Sequence, residues 1–372
     1  MGNHPGVQIP LLPPKNIHPR PPRHIARVGA MGFADTNTTT PDNTTAYGIV
    51  QTNPDEAESL EWKEIEKPQP SEGEALVRVR FAGVNRADTL QAQGHYPPPQ
   101  GVTDVIGLEV TGVIEDPNGT TKPDGSAWKK GEEVAALLSG GGYATHVVVP
   151  QGQLLPIPEG FSLAQTASIV EVACTVWSNL TDVAGMKPDD RVLLHGGGGG
   201  IGTFATQYAT AMGAEVAVTA GSQAKLDVCR NYGATTLINY KEQDFAQELK
   251  QLGGADIILD IIGAKYLDSN VKALAKDGRL VIIGMQGGVK GELNIGRLLA
   301  KRGNIHATGL RYRDIEDKAR IVAGTQRDIW PLLADGTITH HIDRTMPVQE
   351  AAAAHKALLS GEVTGKIVLE VN

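Results

Sequence analysis

The chain has little that could cross-link it, anchor it or make it basic. It carries two cysteines in 372 residues, Cys174 and Cys229. Two thiols cannot build a four-cysteine zinc lobe and suggest no disulfide framework, so a reducing, intracellular setting is expected. No apolar run approaches the ~20 residues needed to cross a bilayer. The formal net charge is −8. No broad basic face is implied, which argues against a nucleic-acid partner. At 41% hydrophobic and 20% charged, the composition is that of an ordinary globular chain, long enough for two domains.

Residues 1–30 lack acids altogether, yet hold Lys15, Arg20, Arg23, Arg27 and seven prolines. They contain no secretory h-region. The prolines oppose an amphipathic helix. Residues 1–45 are expected to be a disordered leader that ends in a Thr-, Asn- and Asp-rich linker. A mitochondrial transit peptide over residues 1–30 and a start at Met31 are the alternatives.

What the chain has in quantity is glycine. Arg191–Gly202 reads RVLLHGGGGGIG, a short apolar run that breaks into five consecutive glycines, Gly196 to Gly200. A helix-forming segment follows. Strand, glycine turn and helix in that order give meaning to Gly197-x-Gly199-x-x-Gly202. Backbone without Cβ lets a diphosphate approach the first helical N–H groups and the positive end of the helix dipole. A flexible glycine loop is the plainer alternative. Five glycines exceed what the turn needs, so Gly198→Ala is expected to leave cofactor binding unchanged or slightly tighter.

On either side of this motif the pattern differs. Ala46–Gln51, Leu60–Glu66, Ala75–Phe81, Val105–Ile114, Gly131–Leu138 and Ala144–Val149 read as short strands, with a helix over Asn85–Gln93. Their spacing suggests a small, partly open barrel. Helical segments are expected at 163–168 and 175–183. Strands at 191–195, 215–219, 235–240, 256–262, 279–284 and 305–310 then alternate with helices at 222–232, 242–251, 265–275 and 295–301. This describes a parallel sheet covered on both faces. A long helix over 314–333 precedes a strand at 341–346, a helix at 348–360 and a closing strand at 366–371, which could rejoin the barrel.

The strand 215–219 ends in Ala220-Gly221-Ser222-Gln223-Ala224-Lys225. A site that binds the unphosphorylated ribose wants a carboxylate near Ala220. A small residue, a hydroxyl that opens a helix, and a lysine would instead accept a 2′-phosphate. This argues for NADPH. The alternative is a plain N-cap at Ser222 with a solvated Lys225.

GVNRADTLQAQGHYPPPQG, VIGLEVTGVIE, LSGGGYATHVVVP, the glycine run, TAGSQAKL, ILDIIG and the terminal GKIVLEV together resemble the zeta-crystallin-like quinone oxidoreductases. These form the zinc-independent branch of the medium-chain dehydrogenases/reductases, and the stress-inducible NADPH quinone oxidoreductase type is the nearest likeness. The resemblance runs from about Ala46 to Asn372. It implies an α/β fold with a GroES-like, partly open β-barrel domain over 46–160, and a doubly wound Rossmann domain over 161–335. The chain would return to the catalytic domain over 336–372. It also implies a homodimer and NADPH-dependent reduction of quinones in the cytoplasm. Zinc relatives carry a Cys at Asn85 and a His at Leu108, and their third ligand position falls on Glu171; no metal is expected here. His340 and His341, adjacent on a strand, would point to opposite faces.

Asn85 is the first candidate beside the nicotinamide, and otherwise a helix cap. Tyr96 would wall the acceptor pocket, or pack on its prolines. Thr175 is placed by the resemblance near the nicotinamide ribose. Cys174 reads as a buried apolar residue rather than a nucleophile. Gly197, Gly199, Gly200, Ile201 and Gly202 would hold the diphosphate. Gly221, Ser222, Lys225 and Tyr240 would hold the 2′-phosphate, although Tyr240 could be a plain strand-end residue. Gly263, Gly284 and Met285 would line the nicotinamide half of the crevice, and the resemblance adds Leu310, Arg311 and Lys366. Two further functions stay open: a 2-alkenal or enone double-bond reductase, and an NADPH-binding protein without significant turnover.

Overall fold

The computed structural model describes residues 44–372 apart from Pro54 and Glu362. Nearly all of the expected leader therefore lies outside the described residues, and the first strand already begins at Thr45.

Seven strands come first: β1 (Thr45–Gln51), β2 (Leu60–Glu66), β3 (Glu74–Gly83), β4 (Glu109–Asp116), β5 (Glu133–Leu137), β6 (His146–Pro150) and β7 (Leu154–Leu155). Six follow: β8 (Arg191–His195), β9 (Glu215–Ala220), β10 (Thr236–Asn239), β11 (Ala255–Asp260), β12 (Leu274–Ile282) and β13 (Asn304–Ala307). The last are β14 (Ile342–Pro347) and β15 (Lys366–Glu370).

β1 and β2 form the expected antiparallel hairpin, with Gly48 opposite Lys63. A mixed sheet runs β14-β15-β3-β4-β5-β7, with β6 on the free side of β3. Strict alternation in EALVRVRF puts Val77 and Val79 into the core and Arg78 and Arg80 outside. β15 pairs antiparallel with β3, Leu369 opposite Ala82, so the closing strand does return to the N-terminal sheet. The second sheet has the order β10-β9-β8-β11-β12-β13 and is parallel throughout. Val192, Leu193 and Leu194 of β8 are all buried, as continuous apolar strands between helical layers must be. The chain reverses direction across the sheet between β8 and β11, where open α/β sheets bind ligands.

Three expectations need correction. The strand placed at 105–114 starts only at Glu109, because Val105–Leu108 is drawn into an irregular loop in which Gly107 has φ +113°. The helix placed at 175–183 starts five residues earlier: Val170–Val176 is α-helical and runs on as a π-helix over Trp177–Val183. Its residues are buried on all sides, so they show no amphipathic period to read. The helix placed at 314–333 divides into Ile315–Asp328 and Trp330–Ala334, since Pro331 cannot donate to the preceding turn.

Candidate functional site

The glycine run is built for close approach. Gly196 has φ +69°, a left-handed conformation that makes the turn out of β8. A Cβ on Gly202 would lie 2.4 Å from the Gly196 carbonyl oxygen and 2.5 Å from Gly197 Cα. Helix and turn therefore touch backbone to backbone. A Cβ on Gly197 would lie 2.8 Å from Val218 Cβ. The helix that follows, Gly200–Ala211, presents its first N–H groups at the carboxyl end of β8. Ile201 packs half-buried against the core. Gly199 has room: its nearest neighbour for a Cβ is 3.4 Å away.

Gly198 overturns the expectation made for it. It does not need a positive φ, but a Cβ there would lie 2.7 Å from Lys225 Cβ. The Lys225 stem lies over the turn, and its ammonium donates to the Gly361 carbonyl at 3.4 Å. Lys225 thus sits closer to the diphosphate turn than its place one helical turn after Ser222 suggested.

At the end of β9, Ala220 is buried and Gly221 faces Tyr240, whose hydroxyl would lie 2.5 Å from a Cβ on Gly221. Ser222 is the N-cap residue of Gln223–Asn231, yet its hydroxyl makes no capping bond. Lys241 Cε would be 3.3 Å from a Gly221 Cβ. Lys241 is a second cation at this corner that the sequence did not single out; it follows Tyr240 directly, which is the only signal it gave. A carboxylate-free strand end, two hydroxyls and two lysines form a donor set that suits a phosphate monoester.

The remaining residues meet at the seam between the sheets. Asn85 is the N-cap residue of the helix Arg86–Ala92, and its side chain turns toward the closing strand. Lys366 Nζ donates to Asn85 Oδ1 at 2.5 Å and to Glu109 Oε1 at 2.9 Å. Asn85 Nδ2 donates to the same Glu109 oxygen at 2.9 Å. Glu109 Oε2 accepts the Glu171 N–H at 2.9 Å, and Thr175 Oγ1 donates to Glu171 Oε1 at 2.9 Å. Burial pushes the Glu171 carboxyl above the ordinary range, against the pull of Lys366. Lys366 Cδ would be 3.4 Å from a Cβ on Gly200, so this cluster abuts the first turn of the glycine-motif helix. Glu109 and Glu171 were considered in the sequence only as remnants of a metal site; here they are the acceptors that hold Lys366, Asn85 and Thr175 in register. The π-helix starts two residues after Thr175, where Asn179 Nδ2 takes the Thr175 carbonyl at 2.8 Å and Thr308 Oγ1 donates to Asn179 Oδ1 at 2.5 Å.

A divalent cation does not fit this cluster. Asn85 offers an amide, Leu108 is apolar, and the Glu109 oxygen shared with Asn85 already faces an ammonium at 2.9 Å. An incoming cation would meet that charge at contact distance. His340 and His341 precede β14 rather than lying in it, with His340 turned inward and His341 exposed.

Tyr96 packs edge-on against Tyr312, with ring centroids 5.1 Å apart, and the Arg311 guanidinium lies over its ring. Burial pushes its hydroxyl up to about 12. Arg311 Nη1 donates to the Tyr96 carbonyl at 3.0 Å, and Leu310 packs half-buried against the core beneath. Gly263 (φ +77°) interlocks with the loop after β12: its Cβ would lie 3.0 Å from the Gly284 carbonyl oxygen and 3.1 Å from Met285 Cα. Cys174 is buried and its thiol is pushed up to about 12 by burial, which leaves no nucleophile there.

A parallel sheet with a glycine-lined turn at its switch point, joined to a mixed-sheet, GroES-like domain that supplies a fixed polar cluster, is the architecture of a nucleotide-dependent oxidoreductase. Comparison with known proteins agrees. Residues 71–159 match the alcohol dehydrogenase GroES-like domain, and residues 200–323 match the zinc-binding dehydrogenase domain. A quinone oxidoreductase of Pseudomonas aeruginosa is 27% identical over 319 residues, 84% of this chain and 95% of that protein. The Escherichia coli quinone oxidoreductase, solved in complex with NADPH, superposes with a TM-score of 0.75 at 26% identity, over 88% of this chain and 100% of that one. A mycocerosic acid synthase-like polyketide synthase of Mycolicibacterium smegmatis is 28% identical over 91% of this chain, which spans only 16% of that protein. The chain carries the two domains of a medium-chain dehydrogenase/reductase in their order, and it is similar to the quinone oxidoreductases among them.

Proposed function

We propose that the protein binds NADPH and reduces quinones by direct hydride transfer without zinc, with 46–160 and 336–372 as the catalytic domain and 161–335 as the cofactor domain. Asn85 carries the reading. Its Oδ1 is taken by Lys366 and one amide hydrogen by Glu109, which leaves one amide N–H to donate. Bound NADPH would supply the hydride from its nicotinamide ring. Gly197, Gly199, Gly200, Ile201 and Gly202 would hold the diphosphate. Gly221, Ser222, Tyr240 and Lys241 would hold the 2′-phosphate, with Lys225 between the two. Gly263, Gly284, Met285 and Leu310 would border the nicotinamide, and Thr175, fixed on Glu171, would meet its ribose.

The spare Asn85 N–H is directed to the acceptor oxygen or to the carboxamide, where it offsets developing negative charge. Lys366 keeps Glu109 neutralised and the amide oriented. Tyr96, clamped by Arg311 and Tyr312, forms a wall of the acceptor pocket. A quinone accepts hydride without strong activation, so orientation and one or two donors suffice. The same donors would serve a conjugated enone, which is the second acceptor class. Assaying 1,4-benzoquinone beside a medium-chain 2-alkenal separates the two: quinone turnover with a silent alkenal is expected, and the reverse would replace this reading. We propose further that the protein is a cytoplasmic homodimer.

A further inference from the structure

Four Lys or Arg side chains are buried among the described residues: Lys67, Arg311, Lys318 and Lys366. Two of them have a carboxylate at contact. Lys67 lies 2.6 Å from Glu115 and Lys366 lies 2.9 Å from Glu109. The other two do not. Lys318 is 4% exposed and donates to Ser139 Oγ and the Arg313 carbonyl, each at 2.7 Å. Arg311 is 3% exposed and donates to the carbonyls of Ser139 (2.7 Å) and Tyr96 (3.0 Å) and to Gln91 Oε1 (2.6 Å). All five acceptors are neutral. Among the described residues, no carboxylate comes within 4.0 Å of either cation.

Both cations line one cavity of about 580 Å³, which includes no residue of the glycine turn and none of Asn85, Thr175 or Lys366. Its lining is mixed: Ile65, Val102, Val105, Leu138, Val147 and Ile315 give it apolar surface, and Glu66, Glu74, His146, Arg313 and Asp314 also border it. Burying a cation with no carboxylate in contact is costly, and this site does so twice around one serine, with Asp314 acting on Lys318 only from a distance. An ammonium has three N–H groups, and Lys318 uses two. The size and the partly apolar lining are those of a small-molecule site.

We infer that this cavity is a binding site for a monocarboxylate with an apolar body, its carboxylate on Lys318 beside Arg311 and its tail against the Val102–Val147 wall. The cavity shares Arg311 and Tyr312 with the clamp on Tyr96, but its proposed ligand does not depend on the hydride-transfer function. Burial, reinforced by Arg311 and opposed by Asp314, pulls the Lys318 ammonium down to about 8.

Titration calorimetry of the full chain with octanoate, and with octanol as the neutral control, tests this. Saturable octanoate binding is expected, with octanol weaker by about tenfold or more. Lys318→Met and Ile315→Glu should each weaken octanoate by about tenfold. The first removes the cation. The second sets a negative charge at the mouth, on a residue 55% exposed that threatens no packing. If Lys318→Met does not fold, Ile315→Glu decides. Absence of saturable octanoate binding, octanol binding as tight as octanoate, or wild-type affinity in either folded variant would overturn the site.

Discussion

At Glu109 a carboxylate is held wholly out of water, and Lys366 is the charge that makes this tolerable. Removing one partner of such a pair leaves the other buried and unpaired, which costs about 3–5 kcal/mol. Lys366→Met should therefore lower stability by about that amount in denaturant titrations, and Lys366→Met/Glu109→Gln should recover part of it. Both should lose quinone turnover, since Asn85 is no longer held. A second buried carboxylate obeys a different rule. Asp88 accepts the Asn85 N–H at 2.7 Å and the Tyr143 hydroxyl at 3.1 Å, and Tyr143 also meets His355 at 3.3 Å. Burial holds its pKa up to about 7, against 3.8 for a free aspartate. Between those values the folded protein keeps a proton that the unfolded chain has released. Stability through Asp88 is thus full below about pH 4 and falls until about pH 7. Asp88→Asn cannot ionise, so its Tm relative to the parent should climb across that range and level off above it. A constant offset in melts across the range would contradict the assignment.

The glycine-motif helix and its turn were the most legible element in the sequence, because strand, turn and helix follow one another with no distant partner required. The turn's internal differences were not legible. Five identical letters hide five environments: Gly196 needs its positive φ, Gly197 abuts Val218, Gly198 lies under Lys225, Gly199 has room and Gly200 abuts Lys366, while Gly202 beyond them touches backbone. Gly202→Ala should abolish NADPH binding or folding, whereas Gly199→Ala should fold normally; fluorescence titration with NADPH and thermal melts read both. Gly198→Ala now carries the opposite expectation from its sequence reading, a loss of affinity as Lys225 is displaced. Asn85 and Lys366 were found individually, the latter only through resemblance. Their contact spans 281 residues, which no local pattern encodes. The segment 170–174 was missed for the same kind of reason, since near-uniform burial erases the period by which helices are read.

Among the described residues, β13 is an edge strand of the parallel sheet, and the helix that precedes it carries large exposed apolar side chains. Val289, Ile295 and Leu299 are 73%, 69% and 74% exposed. Pairing of this edge with a second copy would cover both features. Leu299→Glu is expected to convert a dimer into a monomer by analytical ultracentrifugation, and an unchanged sedimentation coefficient would exclude this face. The central claim, however, is cofactor-dependent quinone reduction; its chemistry rests on Asn85, and its choice of NADPH rests on Ala220 standing where a carboxylate would repel a 2′-phosphate, with Ser222, Lys225, Tyr240 and Lys241 around it. Steady-state oxidation of NADPH and of NADH, each with 1,4-benzoquinone, tests it most directly. The account predicts kcat/KM for NADPH at least about tenfold above that for NADH, the scale of one charge-assisted contact. Equal efficiency with the two cofactors, or no quinone-dependent oxidation of either, would contradict it.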